Sequence, residues 1–142
     1  MTTDVALTMR EQAALLAAAR AAMDKAYAPY SRFHVGAAVL DENGHIHAGC
    51  NVENAAYPQG VCAEAGALSA MVLAGGRRAR AVLVMGPGGA LVTPCGGCRQ
   101  KIREFAAPDT PVLIAGEGGV RASFTLEQLL PQSFGPEHLA QA

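Results

Sequence analysis

Charge of either sign is scarce in this chain. Across 142 residues, 11 Lys and Arg face 12 Asp and Glu, for a formal net charge of −1. Proteins that bind polyanions carry a basic excess, so this balance argues against a nucleic-acid partner. The one basic cluster, Arg77, Arg78 and Arg80, reads as an ordinary solvated loop. Long apolar runs are lacking as well. The stretch Ala13 to Ala19 ends at Arg20, short of the roughly 20 residues that span a bilayer, and Met1-Thr2-Thr3-Asp4 has no basic start of the secretory kind. The expectation is a cytoplasmic protein with no membrane partner. No internal repeat, linker or low-complexity segment interrupts the chain, and its length suits one domain, 1–142, that can build a core without disulfides. Cysteines number only four. In a reducing compartment, clustered thiols point to metal or redox chemistry instead of staples.

Three of those four thiols fall into a pattern. Cys62-Ala63-Glu64 is followed downstream by Pro94-Cys95-Gly96-Gly97-Cys98. A catalytic Zn²⁺ takes three protein ligands and leaves its fourth position to water, so three thiolates are the informative number. A fourth would close the site into a structural one, and Cys50 is the only thiol left to do so. The spacing of Cys62 and Glu64 has a physical meaning too. In the body of a helix, side chains two apart diverge by about 200°, but at the first turn both can approach a metal lying beyond the helix end. The same helix end offers free N–H groups and partial positive charge, which favour thiolate. Cys95 and Cys98, three apart, share one face at the start of a second helix, and Pro94 suits its entry. Alone, a Cys-x-x-Cys pair is also the mark of a thiol redox protein or a structural zinc module. Paired with an upstream thiol and a carboxylate, it indicates a hydrolytic zinc site.

With these residues in place the chain resembles the zinc-dependent deaminases, which join a Cys/His-x-Glu element to Pro-Cys-x-x-Cys. Within that group it is most similar to the small cytidine deaminases, which use Cys where the nucleic-acid deaminases use His. The resemblance extends over Pro29-Tyr30-Ser31-Arg32-Phe33-His34-Val35-Gly36-Ala37-Ala38, Gly49-Cys50-Asn51-Val52-Glu53-Asn54-Ala55-Ala56-Tyr57 and Cys95-Gly96-Gly97-Cys98-Arg99-Gln100, and covers roughly Arg10 to Leu130. It implies hydrolysis of cytidine and deoxycytidine to the uridine analogues with release of ammonia. Cys62, Cys95 and Cys98 would hold Zn²⁺, and Glu64 would move the protons. The alternatives are a deaminase of a cytosine-bearing nucleoside antibiotic and, from another class, the thiol redox protein.

Patterning along the chain predicts an α/β protein, a three-layer α/β/α sandwich around a five-stranded mixed sheet. Thr8 and Glu11 have capping-box spacing, and a helix follows to about Ala26. Strands are expected at Phe33 to Leu40 and His45 to Glu53, joined by an Asn43-Gly44 turn, then at Ala81 to Met85, Pro111 to Ala115 and Val120 to Phe124. The zinc helix runs to Ala74, the second metal helix from Cys95 to about Phe105, and a short helix capped by Thr125 and Gln128 ends near Leu130.

The remaining candidates concern substrate. Asn51 and Glu53 alternate along a strand end, so both face one way just before the zinc helix; a solvated strand end is the plain reading, and the resemblance implies a ribose site. It also implies that Phe33 flanks the pyrimidine and that Tyr57 lies near the ribose, where packing is an equal reading. The Ala63 backbone, between ligand and acid, is the nearest group for a base edge. Relatives commonly have Arg directly after the catalytic Glu, where this chain has Ala65-Gly66; Arg99 is then the remaining cation to support the thiolates. Cys50 reads as a small buried thiol, and none of the four His sits at ligand spacing. Phe134 is a lone aromatic in the tail 131–142. By default it hooks onto its own domain; the resemblance implies instead a homotetramer in which it enters a neighbour's pocket and faces the base.

Overall fold

Thr8 opens the first helix as its spacing predicts. Its Oγ1 accepts from the Glu11 N–H at 3.0 Å while its own N–H donates to the Glu11 carboxylate at 3.1 Å, so two otherwise unpaired donors are satisfied. In the computed structural model this helix, α1, spans Met9–Met23. The structure describes residues 6–140; Met1-Thr2-Thr3-Asp4, read above for targeting, and the last two residues of the tail lie outside the described residues. Five strands follow the expected order: β1 Gly36–Asp41, β2 Ile46–Cys50, β3 Ala79–Met85, β4 Pro111–Gly116 and β5 Gly119–Thr125. They form one sheet in the order β2-β1-β3-β4-β5, parallel between β3 and β4 and antiparallel at the other pairings. Helices α2 (Ala63–Leu73) and α3 (Gly96–Phe105) precede β3 and β4, and α4 is the short turn Leu126–Leu129 under its Thr125 cap.

The sheet is covered on both faces. In β1 all six residues are buried, with Ala38 and Leu40 facing α1 beside Leu15 and Ala19, and Ala37 and Val39 facing the layer of Ala67, Leu68, Met71 and Ile102. This is the three-layer α/β/α sandwich with a mixed sheet that the alternation predicted. Among the described residues no helix is long and apolar enough to cross a membrane.

Helix α1 stops at Met23, short of the expected Ala26, β3 begins at Ala79, two residues before Ala81, and two strand ends beside the site differ by three residues. The first strand begins at Gly36 and not Phe33, because the Asn51 amide takes over the pairing of Phe33 to Val35: its Nδ2 donates to Phe33 O at 2.7 Å and its Oδ1 accepts from Val35 N at 2.9 Å. The second strand ends at Cys50 and not Glu53, since Val52 leaves the sheet to pair with Tyr27 on one side and Val61 on the other. The sheet edge thereby converges on the site. Gly36 pairs with both Cys50 and Met85, so the ends of β2 and β3 flank the start of β1, and from those two ends the chain departs toward Cys62 and Cys95.

Candidate active site

Two helix N-termini meet at three sulfurs. Cys62 is the N-cap of α2 and Cys95 the N-cap of α3, both with extended backbone (φ −77°, ψ 158° and φ −66°, ψ 168°) and neither using its side chain as a cap. A cap's extended conformation aims the side chain past the helix end. The thiols, unneeded for capping, are available to a ligand lying there. Cys98 sits within the first turn of α3 and is buried. The three Sγ atoms lie within 4.8 Å of one another, with Cys62 and Cys95 at 3.9 Å. Tetrahedral bonds of about 2.3 Å require sulfurs about 3.8 Å apart, so the cluster fits Zn²⁺. Among the described residues the group includes no fourth ligand atom, and Cys50 stands outside it, which leaves one coordination position open.

Glu64, one residue into α2, is 4 % exposed and is not a member of the ligand group. Burial pushes its carboxyl above the usual range, opposed by its own backbone N–H, the Cys98 thiol and the charge of Lys101. Burial also pushes the Cys62 and Cys98 thiols up, and negative charge on their neighbours adds to the effect. At Cys95 burial pushes upward too. Hydrogen bonds from the Cys98 N–H and from the thiols of Cys98 and Cys62 outweigh it and bring this thiol below the ordinary range. Metal uptake by such a set displaces thiol protons, so it is pH-dependent.

The strand end feeding α2 lies very close to it. A Cβ at Gly49 would stand 2.4 Å from Ala67 N and 2.5 Å from Ala63 O, so only glycine lets β2 approach the first turn of the helix. Ala63 is buried in that contact. Asn51 and Glu53 both reach the loop leading to β1. The Glu53 carboxylate accepts from Tyr30 N at 2.9 Å, Ser31 N at 3.1 Å and the Ser31 hydroxyl, contacts that hold it below the usual carboxylate range. Beside it opens a cleft of about 380 Å³ lined by Tyr30, Ser31, Glu53, Asn54, Tyr57 and Gly60. Tyr57 stands at the rim, 78 % exposed and edge-on to Tyr30 at 6.2 Å; Phe33 is exposed as well.

Arg99 braces the loop ahead of α3. Its guanidinium donates to Pro94 O and Leu129 O, both at 2.7 Å, and to Thr93 Oγ1 at 3.2 Å. The sequence reading passed over Lys101, the cation whose charge reaches Glu64. Its Nζ lies 3.8 Å from where a Cβ on Gly97 would stand, so the side chain folds back over the first turn of α3. Phe134 is 56 % exposed, and its ring stacks on His138 with centroids 5.1 Å apart.

Three thiols around an open position and a buried carboxylate beside them define a zinc-dependent hydrolytic centre on an α/β/α frame. The redox reading accounts for Cys95 and Cys98 but leaves Cys62 without a part. Residues 9–114 match the family described as the cytidine and deoxycytidylate deaminase zinc-binding region. The chain is 42% identical over 128 residues to a cytidine deaminase of Sporosarcina psychrophila, covering 90% of this chain and 94% of that protein. It is 40% identical over 114 residues to one from Mycobacterium tuberculosis, with 80% and 82% covered. Among solved structures, cytidine deaminase from Burkholderia pseudomallei superposes with a TM-score of 0.80 at 43% identity, covering 86% of this chain and 98% of that one. The chain belongs to the cytidine and deoxycytidylate deaminase family.

Proposed function

We propose that the protein, as a single catalytic domain, hydrolyses cytidine and deoxycytidine to uridine and deoxyuridine with release of ammonia, a salvage step in the cytoplasm. The observation that carries the reading is the buried Glu64 beside three thiols whose separations suit Zn²⁺. Cys62, Cys95 and Cys98 hold the metal, which when bound supplies the Lewis acidity that lets water ionise near neutral pH. Glu64 does the proton work. Its raised pKa keeps it poised to take a proton from water and pass it to the ring nitrogen, then to take the remaining proton of the added hydroxyl and deliver it to the leaving amine, which departs as ammonia as the C4 carbonyl forms. The Ala63 backbone meets the base edge, and Phe33 flanks the ring. Asn51 and Glu53 read the sugar while holding the Tyr30–Val35 loop; Glu53 Oε2 accepts only the Ser31 hydroxyl among its contacts above, so it retains acceptor capacity. Tyr57 closes the ribose side. Arg99 supports the thiolates through the Thr93–Pro94 turn.

A homotetramer with shared sites accompanies this reading. Helix α2 carries a single polar residue, Ser69, on its outer side, which lines a mostly apolar groove with Ala65, Leu68, Val72 and Phe105, edged by Lys101 and Glu104; Leu73 is 90 % exposed, as expected of a helix that packs against a second chain. Phe134, exposed in its own subunit, then faces the base in a neighbour.

The absorbance change of cytidine incubated with the protein tests the activity. Turnover that a chelator abolishes and zinc restores is expected, with Glu64→Gln retaining zinc and losing about 10²- to 10⁴-fold in rate. Loss of zinc from Glu64→Gln would overturn the division of roles. Mixing Phe134→Ala with Glu64→Gln chains tests the sharing, since hybrids alone place an intact Glu64 beside an intact neighbouring Phe134.

A further inference from the structure

The tail that carries Phe134 is bound to the helix that carries two of the thiols. Arg103, on the last turn of α3, donates through Nε to Ser133 Oγ at 2.8 Å and through its terminal nitrogen to the Glu137 carboxylate, so its two partners bracket Phe134. One turn earlier, Gln100 Nε2 donates to the Phe134 carbonyl at 2.9 Å. Between them Gly135 is buried face-on against the guanidinium: a Cβ there would stand 2.3 Å from Arg103 Cζ and 2.4 Å from each terminal nitrogen. The Gly135 backbone is extended (φ −151°, ψ 179°), so glycine is required by space and not by dihedral angle. Its N–H donates to His138 Nδ1 at 2.9 Å, which fixes the imidazole on which the Phe134 ring stacks, nearly parallel at 15°. Every polar contact therefore falls on the backbone or on the neighbours of Phe134. The ring itself keeps one face on His138 and remains 56 % exposed.

An anchor that merely fastened the tail would bury its one aromatic, since sealing that ring is the larger gain. Here the opposite holds. We propose that Arg103, with Gln100, Glu137 and Gly135, forms a latch that sets the direction in which Phe134 projects, and is thereby a positioning residue for the nucleoside pocket of a neighbouring subunit. The inference rests on the reading of Phe134 given above. Because the latch is mounted on α3, whose N-cap is Cys95 and whose first turn holds Cys98, the ring offered to one site is indexed to the metal centre of the other.

The test is steady-state deamination of cytidine, with uridine affinity by calorimetry, on zinc-loaded full-length Arg103→Ala, Gly135→Ala, Phe134→Ala and the double variant Arg103→Ala with Phe134→Ala. Gly135→Ala keeps the test open should Arg103→Ala fold poorly, because the three atoms nearest its Cβ all belong to the movable end of the Arg103 side chain, so the guanidinium is what it displaces. The expected result is unchanged zinc content and a KM about tenfold higher in each single variant, the worth of one well-placed aromatic contact, with a much smaller change in kcat. The double variant should be no worse than Phe134→Ala. If Phe134→Ala raises KM while Arg103→Ala and Gly135→Ala do not, the latch is wrong and the role of Phe134 stands. Multiplying losses in the double variant would likewise show Arg103 acting independently of the ring. An unchanged KM in Phe134→Ala would remove the shared pocket, and the latch with it.

Discussion

The approach of β2 to α2 at Gly49 can be tested by a pair of substitutions on its two sides. In Gly49→Ala the new methyl would stand 2.4 Å from Ala67 N, 2.5 Å from Ala63 O and 2.7 Å from Gly66 C, all backbone atoms that cannot rotate away. Ordinary contact begins near 3.4 Å, so strand and helix must separate by about 1 Å, an overpacking that costs about 1–3 kcal/mol. The displaced segment carries Cys62 and Glu64, and a misplacement of about 1 Å in catalytic geometry costs on the order of 10²-fold in rate. Gly66 faces the same contact from the helix side, yet its Cβ would meet nothing nearer than Gly49 Cα at 3.5 Å. Gly66→Ala should therefore stabilise by roughly 0.5–1 kcal/mol, the usual gain of alanine over glycine within a helix. Scanning calorimetry of the zinc-loaded proteins should show melting points moving in opposite directions, by about 2–4 °C per kcal/mol. Turnover of cytidine should fall in Gly49→Ala alone. A Gly49→Ala protein as stable and active as the parent, or a Gly66→Ala protein equally damaged, would refute the reasoning.

Other substitutions probe the supports of the site and of the sheet. Arg99→Ala removes two hydrogen bonds from the turn before Cys95 and the one that ties it to Leu129; a zinc affinity lower by about 10- to 100-fold in chelator competition is expected, with the acidic limb of the pH–rate profile moved upward, and an unchanged affinity would show that the helix ends suffice. Lys101→Met removes the charge that lowers the Glu64 pKa, so its acidic limb should lie at higher pH than the parent's at low salt, and the gap should narrow in 1 M salt, where the Debye length is about 3 Å, because screening moves the parent's limb up; no gap at low salt would rule Lys101 out. Asp41, buried at the far end of β1, accepts from His47 Nε2 at 2.8 Å and from the backbone of Asn43 and His45; burial raises its pKa, but these donors outweigh it and hold the carboxyl below 3.8. Its stabilisation is thus complete above the unfolded value and is lost as pH falls through the folded one, so Asp41→Asn should cost about 1–3 kcal/mol in urea unfolding at pH 7 and progressively less below pH 4.

The parts of this protein legible in its sequence are those governed by local rules. Both capping boxes stand where Thr8 and Thr125 put them, because a box needs only residues three apart. The three thiols and Glu64 were legible because metal chemistry restricts residue type and spacing together. Strand ends were less so: Asn51 was placed inside a strand, and its amide instead stands in for strand pairing at Phe33 and Val35, a long-range role with no local mark. Lys101 and Arg103 escaped notice for the same reason. A charged residue on an exposed helix face looks alike whether its partner is solvent, a buried carboxylate or a tail thirty residues on.

The charge balance of the centre links these supports to its geometry. Zn²⁺ with three thiolates carries a net charge of about −1, and an ionised Glu64 adds another beside it. Ala65, directly after Glu64, offers no charge, and the guanidinium of Arg99 is engaged by three oxygens of the Thr93–Pro94 turn and Leu129. What remains is Lys101 and the backbone itself, since each helix N-terminus contributes roughly half a positive charge that decays within one turn. Those half charges are useful only where α2 and α3 end at the sulfurs, and Gly36 fixes that point by pairing with the ends of both β2 and β3. A displacement of α2 therefore moves a ligand, the acid Glu64 and part of the compensating charge at once, so affinity for the metal and proton transfer should fail together when β2 and α2 are forced apart.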